Sequence, residues 1–414
     1  MVQIKPMRAL RPNPDLVQKI VSLPYDVMDQ EEARQMAAGN PHSFLRIIRS
    51  DLEFEDDQDP YAAAVYARAK TNLEEFRQSG WLVRDEEPCF YVYRLNSGPI
   101  QQTGLVAASS IFDYQNDVIK KHEFTRPEKE QDRTTHIDVL GANTGPVFLM
   151  YKHQEQTGLA DSMNRIADDE TPVYDVSFED GVRHRLYRVG PGAVQARLQS
   201  GFTALQATYI ADGHHRAASA FKNGLKRSTE RGGAASADWN HFLTVIFPDA
   251  ELAILPYNRA VQDLNGHSAA ELMAKIEVDF ECQPGKAPIT DAFSLNLFIG
   301  SEWFHLKAQT HTWQGKSAKD QLAVSILQNQ VLAPLLDIQD PRTSDRIKFV
   351  GGIRGDVELE RLVQSGQFAA AFSMPPVTAA QIIAIADAGD TMPPKSTWFE
   401  PKLRSGFVTH LLDE

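Results

Sequence analysis

The segment TPVYDVSFEDGVRHRLYRV, residues 171–189, constrains the fold more than any other part of the sequence. Apolar and polar residues alternate on both sides of Asp180-Gly181, and an Asp-Gly pair between two such runs is a strong β-hairpin signal. A hairpin joins antiparallel strands, whereas a doubly wound sheet is parallel. The chain is therefore predicted to be α+β (mixed α/β), with central mixed and antiparallel sheets and flanking helices.

Other segments supply strands, helices and a candidate domain boundary. Residues 42–49, HSFLRIIR, predict a strand, residues 60–80 a long amphipathic helix, and residues 293–308 a second hairpin. The composition changes from about Leu264 to Gly315. We expect a main body made of residues 1–262 and 340–414, with residues 263–339 as a smaller subdomain or insertion.

Composition and missing motifs exclude several classes of function. The formal net charge of −13 disfavours nucleic acid as a partner. Cys89 and Cys282 lack zinc-binding spacing, and two isolated cysteines fit a cytoplasmic protein. The sequence MVQIKPMRALRPNP at the start does not resemble a signal peptide, and no apolar run is long enough to span a membrane. Without GxGxxG, Walker or GxSxG motifs, we expect neither a nicotinamide cofactor nor a P-loop or α/β-hydrolase fold. We also expect neither haem nor zinc.

The segment YIADGHHRAASAF, residues 209–221, is the strongest candidate for a functional site. A strand pattern ends at Asp212, Gly213 permits a turn, and alanine-rich sequence predicts a helix that stops at Gly224. Free N–H groups at a helix start attract anions, and Arg216 adds a guanidinium that suits phosphate. The alternative is a plain structural corner.

The polar side chains of this turn allow several roles. Asp212 could cap the helix or hold Mg²⁺, while His214 or His215 could donate a hydrogen bond or move a proton. Which histidine faces a ligand is left open by the sequence. Zinc is disfavoured, because adjacent helical residues point about 100° apart and no HxxxH partner is present.

Two further polar segments offer candidate residues. In KKHEFTRPEKEQDR, residues 120–133, a general base could come from His122, Glu123 or Asp132, and phosphate could bind Arg126 or Arg133. The alternative for this segment is a solvated loop. In residues 390–408 the donors that could bind phosphate are Lys395, Ser396, Thr397 and Lys402. Anchoring of a C-terminal tail is the alternative there.

Seven motifs in this order resemble one bacterial family, the domain-of-unknown-function family 1015, often labelled SpoOJ/ParA/ParB/RepB-like. They are PYDV (24–27), NPHSFLRI (40–47), KHEFTRPEKEQDR (121–133), GPVFLMY (145–151), ADGHHRAASA (211–220), LPYNRAV (255–261) and MPPKSTWFEPKLRSG (392–406). The resemblance spans nearly the whole chain but names no reaction. Asn258 stands where relatives are expected to carry histidine.

The DGHHR turn also resembles the phosphate-handling turn of the ParB/sulfiredoxin superfamily, which includes free-serine kinases. This resemblance implies a ParB/sulfiredoxin-like core elaborated by extra elements. It also implies that Asp212, Gly213, His214 and Arg216 hold phosphates. Glu123 is chosen as the activating carboxylate for its chemistry, since no aligned position supports it.

These observations lead to three functional hypotheses. The first is a cytoplasmic phosphotransferase or phosphohydrolase that acts on a small metabolite, with Mg²⁺ and ATP or ADP as possible cofactors. The second is a non-catalytic sensor of a phosphorylated metabolite, and the third is a ParB-like, nucleotide-gated DNA-binding protein. The expected partner is a small phosphorylated molecule, and a homodimer is possible.

Overall fold

The computed structural model describes residues 1–153, 157–232 and 234–413. The chain divides into two compact units, one made of Met1–Leu252 with Pro401–Glu414 and the other of Ala253–Glu400. The second unit is larger than the insertion predicted for residues 263–339, because strands on both sides of that range pair within a single sheet. Within the described residues, no helix is long and apolar enough to cross a membrane.

The first unit is built on a mixed sheet, nine-stranded in the described part of the chain. Two pairings are parallel, between Thr208–Asp212 and Ile119–Lys120 and between His241–Pro248 and Val147–Tyr151, and the others are antiparallel. The order across the sheet is Ile119–Lys120, Thr208–Asp212, Val147–Tyr151, His241–Pro248, Ile100–Ser110, Phe90–Ser97, Arg183–Val189 and Tyr174–Ser177, with Ile4–Lys5 beside Ile100–Ser110. The predicted fold class and the hairpin at Asp180-Gly181 are confirmed.

The helices of this unit contribute to two apolar clusters, one of which contains core residues of the large sheet. They are Val17–Ile20, Gln30–Ala37, Leu45–Ile48, Ala63–Gln78, Ile111–Gln115, Pro127–Leu140, Leu159–Asp169, Ala193–Thr203 and His214–Arg231. Short pairs of strands join Leu10–Pro12 to Leu82–Arg84 and His410–Leu411 to Ala142–Asn143. The helix predicted for residues 60–80 is confirmed.

The strand predicted for residues 42–49 is wrong, because this segment forms the helix Leu45–Ile48. Leu45, Ile47 and Ile48 are all buried, in one cluster with residues of the helix Ala63–Gln78. A short, mostly apolar run fits a buried helix turn as well as a buried strand, and its periodicity cannot separate the two.

The helix predicted to stop at Gly224 continues to Arg231. A Cβ atom at Gly224 would lie 2.5 Å from the Trp239 carbonyl oxygen and 2.7 Å from Ile111 Cδ1. The glycine therefore allows a close approach of the helix to its neighbours and does not end it.

The second unit has its own antiparallel sheet. Its strand order is Phe280–Pro284, Glu302–Ala308, Ser294–Ile299, Ala370–Ser373, Tyr257–Val261 and Ile347–Gly351. The predicted hairpin within residues 293–308 is confirmed. Ala253–Leu255 pairs separately with Trp398–Glu400, and the α-helices are Ala269–Ile276, Ala323–Leu327, Gly355–Gln364 and Ala379–Asp387.

Candidate functional site

Gly213 joins the strand Thr208–Asp212 to the helix His214–Arg231, as the strand–turn–helix pattern predicts. It occupies the N-cap position in a left-handed conformation, with φ 95° and ψ 34°, and no side chain caps the helix. The capping role considered for Asp212 is therefore wrong. Because the first N–H groups of a helix have no partner within it, those of His214, His215 and Arg216 are left to bind a group from outside.

The Arg216 guanidinium lies against Gly213 and carries the main positive charge at this turn. It is buried, and its Nη1 donates to the Pro146 carbonyl oxygen. Its Nη2 lies 3.6 Å from a carboxylate oxygen of Asp26 and 3.6 Å from one of Asp212, while Nε has no hydrogen-bond partner among the described residues. The side chain is thus held in place while its Nε–H still lacks an acceptor among the described residues.

Lys402 brings a second cation to the turn. Its Nζ lies 3.5 Å from Asp212 Oδ2. Burial raises the pKa of the Asp212 carboxyl, but Lys402 and Arg216 outweigh burial and hold that pKa far below its usual range. Asp212 is therefore ionised at neutral pH. Its side chain is 33% exposed.

Both adjacent histidines fasten the preceding loop to the helix start. His214 Nε2 accepts a hydrogen bond from the His122 backbone N–H at 3.4 Å, and His215 Nε2 accepts one from the Arg126 N–H at 2.9 Å. Burial lowers the pKa of both rings, that of His214 to about 3, so His214 is neutral at pH 7. An accepting Nε2 places the ring proton on Nδ1, and the hydrogen-bond network assigns this tautomer.

The His214 ring also positions Glu123. Its Nδ1 lies 3.5 Å from Glu123 Oε2, and 39% of the Glu123 side chain is exposed. Because Nε2 of His214 is occupied, Glu123 is the more accessible proton acceptor of the two residues. The sequence left open which of the two histidines faces a ligand. In the structure, each histidine accepts a hydrogen bond from the backbone of the preceding loop.

His122 is fully buried and packs edge-on against the His214 ring, with centroids 4.4 Å apart. Neither of its ring nitrogens has a hydrogen-bond partner among the described residues. Burial and the neighbouring His214 lower its pKa to about 3. In this structure the His122 ring does not reach the solvent-facing side of the turn.

Asp132 and Arg133 lie deeper, beside Tyr25. Asp132 accepts hydrogen bonds from the Tyr66 hydroxyl and from Arg133 Nε, each at 2.9 Å. The Arg133 guanidinium stacks 4.2 Å from the centre of the Tyr25 ring. A cavity of about 30 Å³ lies here and has room for little more than a water molecule. Its lining includes Arg133, Tyr25 and Arg216.

The remaining predicted residues are more scattered. The Arg126 side chain is exposed and makes no ion pair with the described residues. Lys395, Ser396 and Thr397 belong to the second unit. Of these, Lys395 is exposed, Thr397 is partly exposed, and Ser396 is buried with its hydroxyl donating to the Pro393 carbonyl.

Asp26 and Tyr25 are site residues that the sequence did not assign. They lie in the PYDV motif, whose position in an early turn gave no indication of its chemistry. Asp26 pairs with Arg216, and burial together with the Asp26 carboxylate raises the pKa of Tyr25 to about 12. The only sequence signal that could have pointed to Asp26 and Tyr25 was that PYDV is one of the seven family motifs.

Asp26 and Asp212 are the carboxylates at the turn that a magnesium ion bound to phosphate would use. Among the described residues, no group of three or more His, Cys, Asp or Glu side chains is arranged to hold a metal. Asp26 and Asp212 each place one oxygen beside the same Arg216 nitrogen. Mg²⁺ in nucleotide sites commonly uses one or two carboxylates together with phosphates and water, which fits this donor set.

Substitution of Gly213 by alanine is expected to cost more stability than the same change at Gly158. Both glycines start a helix in the left-handed conformation without a side-chain cap. A Cβ atom at Gly213 would lie 3.0 Å from Arg216 Nε, whereas one at Gly158 would meet nothing within 4 Å. Urea unfolding should show a loss of about 1–2 kcal/mol for Gly158→Ala and about 1 kcal/mol more for Gly213→Ala. Equal losses would contradict a close contact between Gly213 and the guanidinium.

Stability is expected to fall as the pH drops below about 6.5, the ordinary histidine pKa. Burial lowers the pKa of several histidines in the described part of the chain to about 3 or 4, namely His122, His136, His184, His214, His241 and His410. The unfolded chain therefore binds more protons than the folded one between pH 6.5 and pH 4, so the free energy of unfolding decreases as pH falls. Each histidine contributes at most about 1.4 kcal/mol per pH unit.

Urea unfolding at several pH values measures how steeply the free energy of unfolding changes with pH. His122→Leu should lower the number of protons taken up on unfolding by up to one in this pH range. A wild-type stability that does not change between pH 7 and pH 5 would contradict the prediction.

Comparison with known proteins gives a family and distant structural likenesses. A family model described as "Protein of unknown function (DUF1015)" matches residues 4–336. No curated protein matches. Among solved structures, SbnI with C-terminal truncation from Staphylococcus aureus is 12% identical, with a TM-score of 0.38, over 72% of this chain and 84% of that chain.

Two further solved structures match at a similar level. A free serine kinase in complex with AMP is 12% identical over 72% of this chain and 86% of that one, with a TM-score of 0.32. A conserved hypothetical protein from Pyrococcus furiosus is 14% identical over 72% and 90%, with a TM-score of 0.31. TM-scores this low assign nothing to this chain, so the ParB/sulfiredoxin-like core stays a prediction, and the SpoOJ/ParA label gains no support.

Proposed function

Because the chain belongs to the family of unknown function DUF1015, we propose a function from the geometry of its site: the first unit binds the phosphate group of a nucleotide or other small phosphorylated metabolite. One observation carries this proposal. The uncapped start of an eighteen-residue helix lies beside the buried Arg216 guanidinium, whose Nε has no partner among the described residues. Helix N–H groups and a guanidinium together form a typical phosphate site.

The charges around the turn favour a phosphate that arrives with a divalent cation. Arg216 and Lys402 are positive, while Asp26, Asp212 and Glu123 are carboxylates near the same turn. Three carboxylates beside two cations would repel a bare polyphosphate. Mg²⁺ held by Asp212, with or without Asp26, would offset this repulsion, so Mg²⁺ with ATP or ADP is the cofactor that the proposal includes.

Glu123 gives the site a candidate base for phosphoryl transfer. Its exposed carboxylate would accept the proton of a substrate hydroxyl while that oxygen forms a bond to phosphorus and the bond to the leaving phosphate oxygen breaks. The His214 Nδ1–H, 3.5 Å away, would orient the carboxylate. A small-molecule phosphotransferase therefore gives a role to Arg216, Asp212 and Glu123, and with water in place of the hydroxyl the same step would be hydrolysis.

One observation favours a non-catalytic sensor as the second candidate. Both His214 and His215 use Nε2 to accept backbone N–H groups of the loop, which leaves neither ring well placed to shuttle a proton. A sensor would need only the phosphate site and not the base. Replacing Glu123 separates the two functions, because only an enzyme loses turnover while it retains binding.

Thermal unfolding with a panel of phosphorylated small molecules tests the binding proposal. The panel contains ATP, ADP and phosphorylated metabolites, each with and without Mg²⁺, and the unphosphorylated parent compounds are the controls. At a ligand concentration of about 100 times Kd, stabilisation is about 2.7 kcal/mol, a shift of several degrees. If no phosphorylated compound raises Tm at millimolar concentration, the proposed function is wrong.

A further inference from the structure

Arg259, on the strand Tyr257–Val261 of the second unit, is a buried cation that the proposed function does not use. The residue is 3% exposed. Its Nη1 donates to the Tyr257 carbonyl at 2.5 Å, and its Nη2 donates to the Lys395 carbonyl at the long distance of 3.4 Å. The guanidinium carbon lies 5.4 Å from the centre of the Phe349 ring.

Other buried arginines of this protein have a carboxylate partner. Arg94 pairs with Asp168, Arg216 with Asp26 and Asp212, Arg227 with Asp413, and Arg404 with Asp180. Arg259 forms no ion pair within 4.0 Å with any residue that the structure describes. A buried charge without a counter-charge is costly, and neutral carbonyl oxygens offset only part of that cost. Burial accordingly lowers the pKa of Arg259, to about 10.

The Arg259 guanidinium has N–H donors left over for an anion. A guanidinium has five N–H groups, and two of them are used here. The long bond to Lys395 is the weaker contact and the easier one to exchange for a charged acceptor. Lys395 itself is exposed and left-handed, with φ 52°, and its Nζ lies 5.4 Å from the centre of the Tyr257 ring. Lys395 thus adds a second cation on the segment whose carbonyl oxygen accepts a hydrogen bond from Arg259.

We propose that Arg259 and residues 393–397 form a second anion site, in the second unit, that binds the carboxylate or phosphate group of a small metabolite. The anion supplies the counter-charge that the described residues do not provide, and Arg259 binds it through the guanidinium edge not used by the carbonyl oxygens. This inference is independent of the proposed function, because none of its residues belongs to the turn at Asp212–Arg216.

Thermal unfolding with inorganic phosphate or acetate, each against sodium chloride of equal ionic strength, tests the site. We expect each effective anion to raise the Tm of the wild type by about 2–4 °C, and Arg259→Met to lose the part of this rise that the second site contributes. The matched control is Arg346→Met, which removes an arginine of the same unit that already pairs with Asp263. A response to phosphate alone identifies a phosphate site, and a response to acetate identifies a carboxylate site.

Arg216→Met separates this site from the one at the helix start. That variant should retain the part of the anion response that Arg259→Met loses. An unchanged response in Arg259→Met, or a response abolished by Arg216→Met alone, would overturn the second site.

Hydrogen exchange on the wild-type protein gives a test that needs no variant, in case Arg259→Met does not fold. Saturating phosphate or acetate should slow the exchange of backbone amides in residues 257–261 and 395–397. Residues 213–218 report separately on the turn of the first unit. If either anion protects 213–218 but neither protects the second-unit segments, the proposed second site is wrong. The proposed second site is also wrong if neither anion protects any of these segments.

Discussion

Replacement of Arg216 by methionine is expected to weaken binding of the phosphorylated ligand by about 100-fold or more. The guanidinium is buried against Gly213, and its Nε has no hydrogen-bond partner among the described residues. Methionine keeps much of the side-chain volume but removes the charge and every donor. We also expect a loss of about 2–4 kcal/mol in the free energy of unfolding, at the lower end because Asp26 and Asp212 are partly exposed.

Arg227→Met is the matched control for this experiment. Arg227 lies on the same helix, its side chain is 4% exposed, and it pairs with Asp413 and Asp138 away from the turn. It should lose comparable stability and keep its ligand response, as measured by isothermal titration and urea unfolding. If both variants bind equally well, Arg216 does not contact the ligand.

Glu123→Gln is expected to lower turnover by roughly 10²–10⁴-fold, the usual contribution of a general base. Glutamine has nearly the same size and can still accept a hydrogen bond from His214, but it cannot take up a substrate proton. Ligand affinity should change less than tenfold, because the proposed phosphate donors lie on the helix start and on Arg216. Turnover of the ligand found in the thermal panel, together with titration calorimetry, provides the two measurements.

Glu128→Gln provides the control for the loss of a carboxylate. Glu128 is exposed in the first turn of the helix Pro127–Leu140, which follows the same loop, and should affect neither turnover nor affinity. If Glu123→Gln turns over normally, Glu123 is not the base. If the wild type binds the ligand but converts none of it, the sensor is the better description.

Much of the local structure was predictable because its signals are local. The Asp180-Gly181 hairpin, the helix Ala63–Gln78 and the strand–turn–helix at Gly213 each follow from a few neighbouring residues. Predictions failed where two structures share one local pattern. Residues 42–49 suit a buried strand or a buried helix, and Gly224 suits a helix end or a close contact.

The site was predictable only in part, because residue type does not reveal the direction of a side chain. The candidates Asp212, Arg216, Glu123 and Lys402 meet at one turn. Asp132 and Arg133, chosen from the same charged run as Glu123, lie beside Tyr25. Helical rotation separates residues that are neighbours in sequence, and a polar run cannot show which of its members face inward.

The sequence alone therefore determined the α+β class, the family motifs and the glycine that turns the chain into an open helix start. Those features depend on short-range stereochemistry and on alternation along single segments. Only the tertiary structure decided that Asp26 pairs with Arg216, that both histidines hold the loop, and that Arg259 is buried without a carboxylate among the described residues. Each of these depends on contacts between residues far apart in the chain, which packing creates and local pattern cannot encode.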